Sequence, residues 1–190
     1  MHFLGILKMN DLSLYLLDIV QNSLSAKADI IEIHLIEDST TNQLTMIVKD
    51  NGQGMSKETI AQVIDPFFTT RTTRKVGLGI PFLKMASDLA LGDLTIDSSI
   101  DSGTTIKAWF QLDHINTPPL GDITETLFIL MIHDSLKDLK YVHQFNTNRF
   151  EFCSGTFKAI LDGVPFTEPT VMTYIKSYLN ENINNLRRTL

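Results

Sequence analysis

From Asn10 or Asp11 onward, apolar residues recur at spacings of three and four. Leu12, Leu16, Ile19, Val20 and Leu24 form one stripe, with Asp11, Asp18, Gln21, Asn22 and Ser25 on the other side. That period predicts an amphipathic helix. The pattern then changes: in ADIIEIHLIED, Ile31, Ile33 and Leu35 alternate with Glu32 and His34, which predicts a strand buried on one face. Ser39–Asn42 reads as a hairpin turn, QLTMIVKD as a second strand ending at Asp50, and DNGQGM as a glycine-bearing turn. SKETIAQVI predicts a short helix capped by Ser56. PFFTTRTTRKVG lacks an apolar period and reads as a loop, followed by a helix from about Gly79 to Ala90 with Pro81 in its first turn. LGDLTIDSS and GTTIKAWFQL are two further strands joined through Asp101–Gly103.

Hairpin-linked strands separated by helices predict an α/β fold. The form expected is a two-layer α/β sandwich with a mixed, mostly antiparallel sheet and helices on one face. HINTPPLGD interrupts the pattern, which sets a domain of residues 1–112 and a small α+β extension of residues 113–190. In the extension, TLFILMI and YVHQFN read as strands followed by RFEFCS, and the tail EPTVMTYIKSYLNENINNLRRTL as a helix. A piece that small is expected to pack on the main domain rather than fold alone.

Composition narrows the function classes. Of 190 residues, 43% are apolar and 20% charged, the balance of a globular protein. A formal charge of −6 argues against a broad electrostatic grip on nucleic acid or anionic lipid, so neither is expected as a partner. The single cysteine, Cys153, cannot close an intramolecular disulfide, and no Cys/His spacing suggests zinc. MHFLGILKMN is too short for a secretory apolar region, and no stretch approaches the roughly 20 apolar residues of a membrane helix. The expected location is the cytoplasm.

Four blocks carry chemistry. Asp18 and Asn22 lie four apart, on one helical face a turn apart. The asparagine carbonyl can serve magnesium, which keeps several waters and takes phosphate oxygens; the carboxylate could orient or deprotonate an attacking water or hydroxyl. The second block is Asp50-Asn51-Gly52-Gln53-Gly54-Met55 at a strand end, where a carboxylate can accept from an exocyclic amine and glycines admit a flat ring. A plain turn is the alternative; a calcium loop lacks its further acids. In the third, Phe67 and Phe68 precede a polar loop with Arg71, Arg74 and Lys75, cations able to meet phosphates. The fourth, Gly77-Leu78-Gly79, opens a helix whose free N–H groups and dipole favour phosphate.

In order and combination these blocks resemble the GHKL superfamily of gyrase-type topoisomerases, heat-shock chaperone ATPases, mismatch-repair ATPases, histidine kinases and anti-sigma serine kinases. The likeness covers roughly Asp11 to Leu112 and implies the Bergerat fold and ATP with Mg²⁺ as ligands. It implies that Asn22 holds the metal and Asp50 recognises the adenine amino group. Gly52, Gly54 and Met55 would shape the adenine pocket. Gly77, Leu78 and Gly79 would meet the phosphates, with Phe67, Arg71 and Lys75 on the lid side. Thr105 matches a family threonine that supports adenine recognition through Asp50 or water.

Position 18 is Asp, where ATPases and anti-sigma kinases of the superfamily carry Glu and histidine kinases Asn. The acid leans towards the first group, although its reach is shorter by roughly 1.5 Å. Ser25 stands where histidine kinases place a lysine. The five histidines lack the helical hairpin that carries a phospho-accepting histidine, so no complete histidine kinase is expected within this chain. The short PFFTT lid resembles the kinases. The expected function is Mg-dependent ATP hydrolysis, or γ-phosphate transfer to an unidentified protein partner, with a homodimer left open. The alternative is a non-catalytic, ATP-sensing binding module.

Overall fold

Asp11 starts the first helix by accepting a hydrogen bond from the Leu14 backbone N–H, one of the donors every helix start leaves free. The computed structural model describes residues 11–64 and 79–188. Helix α1 spans Leu12–Ser25 and buries Leu12, Leu16, Ile19 and Val20. Strands β1 (Ile30–Asp38) and β2 (Gln43–Asp50) form a hairpin, followed by α2 (Lys57–Ile64). Helix α3 (Gly79–Leu89) leads into β3 (Asp93–Ser98) and β4 (Thr104–Gln111). These elements match the expected order.

The extension differs in detail from its expectation. TLFILMI is not a strand; it lies in helix α4 (Ile123–Met131). Asp122 caps this helix by accepting from the Glu125 N–H, and its mainly apolar run is buried beside α1. A short apolar run carries no period that separates a buried helix from a strand, so the cap decides. Strands β5 (Asp138–Phe145) and β6 (Asn148–Cys153) form a hairpin, then come α5 (Ser154–Leu161), which the sequence pattern did not suggest, and α6 (Pro169–Asn185).

Together the strands make one six-stranded sheet in the order β3-β4-β2-β1-β5-β6. Every pairing is antiparallel except β1–β5, which runs Ile31 beside Leu139 and Ile33 beside Tyr141. The extension therefore continues the main sheet. One face of the sheet, with Ile31, Ile33, Leu35, Leu44, Met46, Val48, Leu139 and Tyr141, is buried under the helices. Burial of each such side chain stabilises by about 1.5–3 kcal/mol before conformational entropy is subtracted.

At one end of that buried face, β1 and β5 bring Glu37 and His143 together. His143 Nε2 meets Glu37 Oε1 at 3.0 Å, and its Nδ1 meets the Tyr141 hydroxyl at 2.9 Å. Arg187, past the end of α6, pairs with the other oxygen of Glu37. With Nε2–H donating to Glu37, Nδ1 is the acceptor for the Tyr141 O–H. A carboxylate only 2% exposed needs such partners, since an unpaired buried charge would cost several kcal/mol, on the order of 3–5. The network joins the sheet to the segment that follows α6.

Candidate functional site

The apolar stripe of α1 is buried, and Asp18 beside it faces the start of α3, with Asn22 one turn further along. Asp18 Oδ2 and Asn22 Nδ2 are buried and have no hydrogen-bond partner among the described residues. No other buried side-chain polar atoms there share that condition. Leaving a buried polar atom unpaired costs about 1–3 kcal/mol, so two on adjacent turns of one helix make this place a candidate for a ligand. An asparagine amide can present either its nitrogen or its oxygen to the same spot.

Gly79 closes this place from the opposite side. A Cβ built there would lie 1.8 Å from Asp18 Oδ2, so α3 can begin against that carboxylate only because residue 79 has no side chain. The first N–H groups of α3 and the α1 carboxylate thus share one small volume. Phe67, Arg71, Lys75, Gly77 and Leu78, with Arg74, lie outside the described residues.

At the far end of α1 the chain builds a rigid floor around Asp50. This side chain ends β2, is 9% exposed, and accepts from Ser23 Oγ at 2.6 Å, the Gly52 N–H at 2.9 Å and the Thr104 N–H at 3.2 Å. Those bonds fix the orientation of the side chain. Gln53 N–H donates to Ala26 O, Asp101 N–H to Gln53 O, and Met55 N–H to Ser98 Oγ. Gly54 has φ +65°, and a Cβ on it would come within 1.9 Å of the Ser99 carbonyl oxygen. The 51–55 turn and the 99–103 turn therefore touch backbone to backbone. Met55 packs half-buried against the core.

Thr105 is a correction. Along β4, alternate residues face opposite sides, and Asp50 pairs with Thr104. Thr104 is buried beside Asp50, with its hydroxyl 3.0 Å from Ser98 Oγ, whereas Thr105 faces the other side of the sheet, where it pairs with Lys49 and Asp97. Counting from Gly103 without the strand's alternation picks the wrong one of two adjacent threonines.

Ser23 was missed altogether, yet its signal was present: it is a polar residue four after Ile19, on the stripe α1 turns inward. The site as described thus has a polar end at Asp18, Asn22 and Gly79 and an acid-based end at Asp50. Among the described residues no three His, Cys, Asp or Glu side chains converge as a metal centre. A divalent ion at Asn22 would therefore share its shell with phosphate oxygens and water, the ligation magnesium favours. Two other clefts open at His143, Asn180 and Arg187 and at Lys140, Arg149 and Phe157. Neither contains an unpartnered buried polar atom among the described residues.

Residues 8–114 match the model of the histidine kinase-, DNA gyrase B- and HSP90-like ATPase family. The chain is 33% identical over 84 residues to the sensor histidine kinase YvrG of Bacillus subtilis, covering 42% of this chain and 14% of that protein. It is 35% identical over 69 residues to the heme sensor protein HssS of Staphylococcus saprophyticus, covering 36% and 15%. A putative sensor protein of Shewanella frigidimarina is 31% identical over 99 residues, covering 51% and 15%. The chain thus matches only about a seventh of the length of these relatives.

Proposed function

This chain belongs to the histidine kinase-, DNA gyrase B- and HSP90-like ATPase family, and from that premise we propose that it binds ATP with Mg²⁺ and either hydrolyses it or passes the γ-phosphoryl group to a protein partner. The observation that carries the proposal is the pair of unpartnered buried atoms on Asp18 and Asn22, set against the bare backbone of Gly79.

Each residue then has a task. Asp50 accepts from the adenine amino group, held in place by Ser23, Gly52 and Thr104. Asn22 supplies a neutral oxygen to the metal, whose charge offsets that of the phosphates. The start of α3 offers N–H groups to the phosphate chain. Asp18 takes the proton from the attacking water or partner hydroxyl as its oxygen bonds to the γ-phosphorus and ADP leaves. The reading implies a cytoplasmic location, the compartment that supplies ATP. Among the described residues, no helix is long and apolar enough to cross a membrane.

Titration of the purified protein with ATP, with and without Mg²⁺, tests the binding step. Phosphate release and transfer by Asp18→Asn test the chemistry. The expected result is metal-dependent binding that Asn22→Ala abolishes, and an Asp18→Asn protein that still binds ATP but turns it over at least about 100-fold more slowly. Binding without any turnover in the unaltered protein would leave an ATP-sensing module as the function.

A further inference from the structure

We propose that the free edge of β6 is a self-association surface, through which two copies of the chain join their sheets into one continuous sheet about a two-fold axis at Phe150. Strand β6 ends the six-stranded order and has only β5 beside it. Its hairpin with β5 is closed by Phe145 and Asn148 across the two residues Asn146 and Thr147. In a two-residue hairpin the closing pair exchanges its hydrogen bonds, and alternation follows from there. Phe150 and Phe152 then bond to β5, and the N–H and C=O groups of Arg149 and Glu151 point out from the edge. Among the described residues, none bonds to those outward groups.

The charge pattern chooses both the occupant and the register. Arg149 and Glu151 are exposed on one face, with side chains 53% and 63% accessible, while Phe150 between them and Phe152 are buried on the other. Within one strand the two charges already meet at 2.7 Å. An antiparallel second copy centred on Phe150 sets Arg149 opposite Glu151, and Glu151 opposite Arg149. Both pairs fall at the outward-bonding positions that the exchange of backbone hydrogen bonds requires. A shift of two residues either way sets Arg149 against Arg149 or Glu151 against Glu151, which like-charge repulsion disfavours. A shift by one would put the charged face of one copy beside the buried face of the other.

The opposite edge shows what a guarded strand looks like. Strand β3 is DLTIDS, with Asp93, Thr95 and Asp97 exposed on one face and no cation. Self-pairing there gains no opposite charge, and acids at an edge are a common protection against it. Of the two edge strands among the described residues, only β6 is self-complementary. A two-fold interface uses the same patch twice and closes on itself, so the assembly stops at a dimer.

The test is sedimentation equilibrium of the full chain with a set of charge variants. Arg149→Glu and Glu151→Arg each replace two attractive pairs by two repulsive ones and should raise the dimer dissociation constant about tenfold or more. The double exchange Arg149→Glu with Glu151→Arg restores opposite charges across the axis and should restore the dimer. Glu151→Pro removes an outward N–H without touching a β5 bond and should give monomers. Circular dichroism and ATP titration should be unchanged in all of them, because neither residue touches the nucleotide site. An unaltered chain that stays monomeric at about 100 µM, single exchanges that dimerise as well as the parent, or open-ended polymers would each overturn the proposal.

Discussion

The Ser23 hydroxyl donates to Asp50 at 2.6 Å, tying the acid at the end of β2 to the helix that carries Asp18 and Asn22. The two ends of the candidate nucleotide site are therefore one mechanical unit. A carboxylate has about four acceptor positions, and three are taken by Ser23, Gly52 and Thr104, which leaves room for one more donor.

Ser23→Ala should lower ATP affinity by roughly three- to tenfold and stability by about 1 kcal/mol, because the acid loses its link to α1. Asp50→Asn should cost more, about 100-fold in affinity, since an amide sets its own N–H₂ against incoming donors. Calorimetric titration of both variants, with urea unfolding beside it, checks the order.

Gly79→Ala and Gly54→Ala should fail in different ways. At Gly79 the added methyl meets a side chain, Asp18, which can turn aside. Turnover should fall about 100-fold, with most stability and nucleotide binding kept. At Gly54 it meets the Ser99 backbone at a φ of +65°, so the fold itself should lose more than about 2 kcal/mol. Comparing melting temperatures with steady-state phosphate release separates the two; equal losses of stability would refute the distinction.

Burial, and after it the nearby Glu37, push the Tyr141 hydroxyl well above its ordinary pKa of 10.0. The native state holds this proton more tightly than the unfolded chain does. Its contribution is complete below roughly pH 10 and is lost as pH climbs through the folded value, by up to about 1.4 kcal/mol per pH unit. Tyr141→Phe should be about 1 kcal/mol less stable at neutral pH, for want of the His143 bond, yet lose less on going to pH 11. Urea unfolding across that range reads the crossing slopes.

Cutting the chain after residue 114 keeps the family-matched segment but removes β5 and α4. Strand β1 would become an edge and α1 would lose a buried neighbour, so the fragment should aggregate or unfold. The full chain should unfold in one transition. A soluble, cooperatively folding fragment that binds ATP would make the extension an accessory.

The main architecture was legible because its elements have long, clean periods: Leu12 to Leu24 at helical spacing, Ile31 to Leu35 alternating. The candidate acid, glycines and asparagine were named from the order of the blocks alone. Other features could not be read that way, and three of them show why. TLFILMI has no period, and only the Asp122 cap shows it to be helical. Thr104 and Thr105 are adjacent, so choosing between them needs the register of β4 against β2. The pairing of β1 with β5 joins distant segments through backbone bonds, which leave no mark on local pattern.

That one parallel pairing also sets an order of events during synthesis. Ile31 emerges from the ribosome long before Leu139, its neighbour in the sheet, and the whole family-matched segment beyond β1 is made in the interval. Until β5 arrives, β1 lies open along one side in the nascent chain.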